Sequence, residues 1–349
     1  MPGCPRQEGV VVATNREVRL AARPQGWPTL ETFELAEVPV PEAADGEVLV
    51  RNIYMSVDPY MRGRMNAAKS YAPPYEVGKA MYGGAVGQVV TSRAPEVTEG
   101  SFVRTGLGWR EFAVLPARHC EPVDPSAGPL SAYLGVLGMP GMTAYVGLFE
   151  IGKAQPGETV FVSAASGAVG SIVGQLARLH GCRVVGSAGG PEKVAFLLDE
   201  LGFDAAIDYR EGGLTEALLA AAPEGVDVYF DNVGGEHLQA ALAAMNPFGR
   251  LAECGMISQY NEPTPGPDNL FFVVGKKLTM RGFIVSDHAD RAADFVRDVG
   301  GHLREGRLVA RETVVEGIEA APQALLDVLR GGTHLGKLVV RLAPDPTLG

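Results

Sequence analysis

Cysteine is scarce in this 349-residue chain. Cys4, Cys120, Cys182 and Cys254 stand far apart, and no CxxC pair occurs. That excludes a zinc ribbon, a CxxC redox motif and a disulfide framework, and it predicts a reduced, cytoplasmic protein. Long hydrophobic runs are missing as well: no window reaches the roughly 18 continuous apolar residues of a membrane span. Basic residues are the minority, 30 Lys and Arg against 41 Asp and Glu, for a net charge of −11. Without a Lys/Arg-rich run, neither nucleic acid nor an anionic membrane is an expected partner. The opening MPGCPRQEG has no positive n-region and no apolar h-region, so no secretory signal is expected. HExxH and G-x-S-x-G are absent, and no internal repeat is visible.

What the chain has is glycine, 45 residues, with 25 prolines and a 46% apolar fraction. The glycines follow no short period, which excludes a collagen-like chain. They sit between apolar runs, where tight turns belong. At roughly 100–200 residues per domain, the length predicts two domains.

Residues 1–130 read as β. Short β-branched runs (Gly9–Ala13, Glu47–Ile53, Gly84–Val90, Ser101–Arg104, Trp109–Val114) alternate with Pro/Gly turns, the pattern of a barrel-like domain. From about residue 131 the texture changes. Strands at Thr159–Val162, Arg183–Gly186, Ala205–Tyr209, Val226–Phe230 and Arg250–Cys254 alternate with helices at Ala168–His180, Glu192–Leu201, Thr215–Ala222 and Gly235–Met245. That alternation predicts βαβ units and a doubly wound parallel sheet. Helices Ala292–Leu303 and Ala321–Leu329 and a strand Lys337–Arg341 end the chain, a segment expected to fold back on the first domain.

The clearest motif follows the first of those βαβ strands. Ala165-x-Gly167-x-x-Gly170 opens the next helix, with Ala168 and Val169 between the glycines. It matches the G-x-G-x-x-G dinucleotide fingerprint except that Ala165 replaces the first glycine. Gly167 lets the backbone approach a pyrophosphate, which rests on free N–H groups at the helix start, and Gly170 lets helix and strand pack closely. The second strand ends in Ser187-Ala-Gly-Gly190, with no carboxylate to repel a 2′-phosphate. Lys193 by charge and Tyr209 by its hydroxyl can bind that phosphate, so NADP is expected over NAD. Gly331-x-x-x-x-Gly336-Lys337 imitates a phosphate loop. Leu338 stands where a magnesium-binding hydroxyl belongs and a strand follows, so it is rejected. His119 and Cys120 are adjacent and on a strand would face opposite ways, so no metal is expected. Asp58–Pro59 reads as a helix start with Asp58 as N-cap, and Asp58 and Arg62 as structural. His180, His237, His288 and His302 belong to no motif and are expected at the surface.

NIYMSVDPYMRGRM (Asn52–Met65) resembles the signature of the zinc-independent medium-chain reductases, nearest the prostaglandin reductase, leukotriene dehydrogenase and plant double-bond reductase group. The resemblance continues through LGMPGMTAY (Leu137–Tyr145), SAASGAVGSIVGQLA, PEKVAFL, FDNVGG (Phe230–Gly235), CGMISQYN (Cys254–Asn261) and HLGK (His334–Lys337). It implies an α/β fold: a Rossmann NADP-binding domain (131–301) and a discontinuous, mainly β, GroES-like catalytic domain (1–130 and 302–349). It implies NADPH, a homodimer, and reduction of the carbon–carbon double bond of α,β-unsaturated aldehydes or ketones. Lys193 and Tyr209 match 2′-phosphate positions, and Asn232 and Gly255 match positions beside the ribose. Thr143 and Phe283–Val285 lie in segments that approach the nicotinamide, and Tyr260 matches the tyrosine near the substrate carbonyl. Gly190 replaces a frequent serine. His334 replaces a frequent asparagine, and a charged imidazole there would add attraction for phosphate. Tyr54, Met65 and Tyr82 either line the substrate pocket or belong to the β-domain core. A quinone reductase of the same superfamily and a non-catalytic NADPH-binding protein are the alternative readings.

Overall fold

The computed structural model describes residues 14–348. Cys4 and the expected strand Gly9–Ala13 lie outside the described residues.

The first part of the chain supplies β1 (Thr14–Leu20), β2 (Phe33–Pro39), β3 (Glu47–Ser56), β4 (Ala85–Ser92), β5 (Phe102–Thr105), β6 (Phe112–Pro116) and β7 (Glu121–Val123), with one helical turn, α1 (Met61–Arg64). β1 and β2 pair antiparallel. The others join a mixed sheet with two C-terminal strands, β14 (Glu312–Glu316) and β15 (Lys337–Arg341), in the order β14-β15-β3-β4-β5-β7, with β6 also on β3. β3 shows why. Val48 and Val50 are buried and alternate with more exposed neighbours, the period-2 pattern of a half-covered strand. From Asn52 to Ser56 every residue is buried; β6 pairs with the edge of β3 at Glu47–Arg51 and β15 takes over that edge at Tyr54–Ser56. β14 and β15 are parallel and therefore need a crossover, which α9 (Ala321–Leu329) supplies.

The second sheet is entirely parallel. Its order is β10-β9-β8-β11-β12-β13, from β8 (Thr159–Val162), β9 (Arg183–Ala188), β10 (Ala205–Asp208), β11 (Val226–Asp231), β12 (Met245–Glu253) and β13 (Thr279–Gly282). All four residues of β8 are buried, as expected for a strand covered on both faces. The covering helices include α2 (Met139–Val146), α3 (Gly170–Leu179), α4 (Pro191–Ala195), α5 (Leu214–Ala221), α6 (Gly235–Ala244), α7 (Phe271–Gly275) and α8 (Ala292–Arg304). The expected change of domain at residue 302 falls inside α8. α3 ends as expected, with Gly181 just beyond it at φ 89. The expected helix Glu192–Leu201 is α4 continued by a π-helical turn, Phe196–Glu200.

Two expectations fail here. Asp58 does not cap α1, whose N-cap is Tyr60. Its carboxylate instead accepts from the Ser56 hydroxyl and pairs with buried Lys337 at 3.2 Å. His237 is not at the surface: α6 buries it against the Tyr209 ring, 5.2 Å away.

Gly174 sets how closely α3 approaches its neighbours. A Cβ there would lie 1.9 Å from the Phe203 ring. Gly174→Ala is therefore expected to destabilise the fold by about 1–3 kcal/mol through overpacking. Thermal unfolding checks this; an unchanged midpoint would show that Phe203 can move aside.

Candidate active site

The strand order of the parallel sheet reverses between β8 and β11, and ligands of such sheets bind outside the carboxyl ends of the strands at that point. A cavity of about 1370 Å³ lies there, walled by loops of both sheets. A smaller hollow of about 440 Å³, near Glu316, Arg341 and Asp345, holds none of the expected site residues.

The fingerprint turn forms one wall. Gly167, Ala168, Val169 and Gly170 line the cavity. Ala164 takes φ 47, a conformation rare for a residue with a side chain, and its carbonyl accepts from the Gly167 N–H at 3.0 Å. A Cβ on Gly170 would lie 2.5 Å from that same carbonyl, so only glycine permits the turn. Ala165 does not line the cavity. It is fully buried beneath the turn, where its N–H donates to the Ser187 carbonyl. Across the cavity the Gly336 N–H donates to the Ser166 carbonyl at 2.8 Å, which fastens the 331–337 loop to the fingerprint.

Two cations converge beside that loop. Lys193 Nζ donates to the Gly332 carbonyl at 2.5 Å, and Arg210 Nη2 to the Gly331 carbonyl at 3.3 Å. Burial and then the nearby Arg210 guanidinium pull the Lys193 ammonium below its ordinary range. Tyr209 and Gly189 complete this wall. Gly190 does not line it; its N–H donates to the Asp208 carboxylate at 2.9 Å. Arg210 escaped the sequence reading. Its only sequence signal is that it follows Tyr209, and its role emerges from the distant Gly331 carbonyl. His334 lines the cavity with its Nδ1 buried and unpartnered. Burial, then Lys193 and Lys337, push its imidazole down to about 4. It is neutral near pH 7, so the charge-based attraction expected of it does not operate.

The remaining wall hangs on the end of β11. Cys254 and Gly255 donate backbone N–H groups to the Asp231 carbonyl at 2.9 and 3.0 Å. Ser258 Oγ donates to the Val233 carbonyl at 2.6 Å, and Asn232 Nδ2 to the Ser163 carbonyl at 2.8 Å. This chain of bonds places Tyr260 in the cavity, and Arg62 Nε fixes the next residue, donating to Asn261 Oδ1 at 2.9 Å. Burial pushes the Tyr260 hydroxyl up to about 12, so it stays protonated and can donate. Burial, then the nearby Asp231 carboxylate, push the Cys254 thiol up to about 12, so it is no nucleophile. Asn232, Gly255, Thr143, Phe283 and Val285 all line the cavity.

Tyr54, Met65 and Tyr82 do not line the cavity and take the other place open to them, the β-domain core. Met65 is fully buried in a core with Met61 and Met81, and Tyr54 packs with Ile53 and Val86. Tyr82 is stacked edge-on with Tyr75 at 5.2 Å. Pro59, Tyr60 and Tyr71 line the cavity instead. Among the described residues no group of three or more His, Cys, Asp or Glu side chains can hold a metal ion.

A parallel sheet with a fingerprint turn at its switch point, facing a second sheet across one cavity, defines a two-domain nicotinamide-dependent oxidoreductase. The family described as the N-terminal domain of oxidoreductase matches residues 16–123, and that described as zinc-binding dehydrogenase matches residues 168–298. NADPH-dependent curcumin reductase of Escherichia coli is 42% identical over 338 residues, covering 95% of this chain and 98% of that protein. NADP-dependent 2-alkenal reductase of Nicotiana tabacum is 42% identical over 340 residues, with the same coverage of each. The crystal structure of CurA from Vibrio vulnificus in complex with NADPH superposes with a TM-score of 0.89 at 42% identity, covering 95% of this chain and all of that one. The chain belongs to the zinc-independent medium-chain dehydrogenase/reductase family, among its double-bond reductases.

Proposed function

We propose that the protein reduces the carbon–carbon double bond of α,β-unsaturated aldehydes and ketones. It is an NADP-dependent oxidoreductase, and its cofactor is NADP(H). The cleft fits that cofactor. A buried, unpartnered His334 Nδ1 faces it, two cations converge beside Gly331, and no carboxylate ends β9. When bound, NADPH supplies the hydride. In this reading Lys193, Arg210 and Tyr209 hold the 2′-phosphate, the Gly167–Gly170 turn holds the pyrophosphate, and Asn232 and Gly255 flank the ribose. Thr143, Phe283 and Val285 close off water from the reacting atoms.

The observation that carries the reading is the buried, protonated Tyr260 hydroxyl in the same cavity as Lys193. Negative charge builds on the enone oxygen only as reaction proceeds, so a fixed donor aimed there lowers the barrier. Tyr260 Oη is that donor, and water delivers the proton to the α-carbon. Pro59, Tyr60 and Tyr71 wall the substrate space. The same reading assigns residues 131–301 to the cofactor domain and the rest to the catalytic domain. It also joins two chains through the β13 edge, beside exposed Phe271 and Val274.

The test is NADPH consumption with an alkenal, an alkenone, a quinone and a saturated aldehyde, with NADH in parallel. NADPH-selective turnover of the alkenal or alkenone, with the saturated aldehyde inert, is expected. Turnover of the quinone alone would replace the reading with quinone reduction.

A further inference from the structure

Two buried acids stand side by side under the cleft, outside the chemistry described so far. Asp231 and Glu253 end the neighbouring parallel strands β11 and β12 and are register partners. Register partners project from the same face about 5 Å apart, and like charges so placed repel. Asp231 is fully buried. Its Oδ1 accepts from Tyr229 Oη at 2.7 Å, from Ser163 Oγ at 3.1 Å and from the Val233 and Gly234 N–H groups, each at 2.8 Å. Its Oδ2 and both Glu253 oxygens are buried and accept from nothing among the described residues. A buried carboxylate without donors is costly, and three such oxygens in one place call for a proton.

We propose that Glu253 is a positioning residue: it carries a proton at neutral pH and donates it to Asp231 Oδ2, and this shared proton holds the 231–235 loop that floors the cofactor cleft. One proton satisfies two of the three orphaned oxygens and removes the repulsion. It leaves Asp231 a carboxylate whose Oδ1 keeps Val233 and Gly234 in place. The groups facing the pair offer no competing cation. Tyr229, from β11, donates its hydroxyl to Asp231. Gly282 of β13, opposite Glu253, has no side chain. His237 of α6 is pushed by burial down to about 4 and is neutral, and Cys254 and Tyr260 are protonated. Burial and then the Asp231 carboxylate push the Glu253 carboxyl up to about 8.

The sign follows. Between pH 4.5, the ordinary value for glutamate, and about 8, the folded protein binds a proton that the unfolded chain has lost. Stability therefore falls as pH rises across that window and levels off above it. Cofactor affinity, a property of the folded protein, falls as pH rises through about 8. Glu253→Gln puts a permanent donor in the same place. In the wild type, NADPH binding followed by cofactor fluorescence is expected to weaken about tenfold as Glu253 ionises, for one charge-assisted bond lost. In E253Q the weakening through about pH 8 should be clearly smaller, with only the loss from Lys193 common to both proteins remaining, and the unfolding midpoint should lose part of its pH slope. Infrared spectra at neutral pH should show a buried protonated-carboxyl band in the wild type that is missing from E253Q. A wild type without that band, or an E253Q enzyme with the same alkaline weakening, overturns the proposal. The inference rests on the cofactor cleft. Failure to bind NADPH at any pH would sink that reading, while the infrared band still decides the proton.

Discussion

Tyr260→Phe is expected to lower kcat/KM for the enone by about 10²–10³-fold, the cost of removing one donor from a developing oxyanion. NADPH affinity should be nearly unchanged, because the substitution removes only the hydroxyl beside Gly255 and leaves the backbone bonds that hold residues 257–260 to the Asn232 loop. The loss should sit in kcat, since the bond strengthens only as charge builds. The wild-type hydroxyl is pushed up to about 12, so Tyr260 should add no alkaline limb to the rate profile below that range. Steady-state kinetics of the two enzymes check this. Equal kcat/KM values would reduce Tyr260 to a packing residue and leave the oxyanion without a protein donor.

Lys193→Ala is expected to weaken NADPH, measured as kcat/KM for the cofactor, by about ten- to a hundredfold while leaving NADH almost untouched. Lys193 and Arg210 stand close enough for the guanidinium to disfavour the ammonium's charge, and their neutral partners here are carbonyls of the 331–332 turn. Two like charges held together that way are relieved by the 2′-phosphate dianion, which NADH lacks. Arg210→Ala should act in the same direction by less, because its side chain is exposed and screened. A Lys193→Ala enzyme that loses NADPH and NADH equally would move the 2′-phosphate elsewhere.

The parts of this account that were readable from the residues are local. The fingerprint turn, the helix stop at Gly181 and the missing carboxylate after β9 each depend on residues a few positions apart. From β8 to β12 the order of strands and helices followed from alternation of apolar patterns, with boundaries moved by a few residues, as at β12, which begins at Met245 rather than Arg250; β1, β2, β7, β13 and β14 were not legible that way. What escaped depends on juxtaposition. Arg210 gained its place from the 331–332 turn, 121 residues away. Glu253 gained its neighbour from the β11–β12 register, which no strand pattern reveals. Tyr54 and Met65 are apolar enough for a pocket or a core, and periodicity does not say which face meets the cavity. The same holds for His237, whose helix turns it inward against Tyr209. Asp58 looked like a cap because the sequence hides its partner, Lys337.

In the proposed reaction the hydride reaches the β-carbon of an enone. Turnover with NADPH deuterated at its transferable position, followed by NMR of the product, reports where it lands. A saturated aldehyde or ketone with deuterium on the carbon β to the carbonyl is expected. Deuterium on the carbonyl carbon of an alcohol, with the double bond intact, would rule out double-bond reduction.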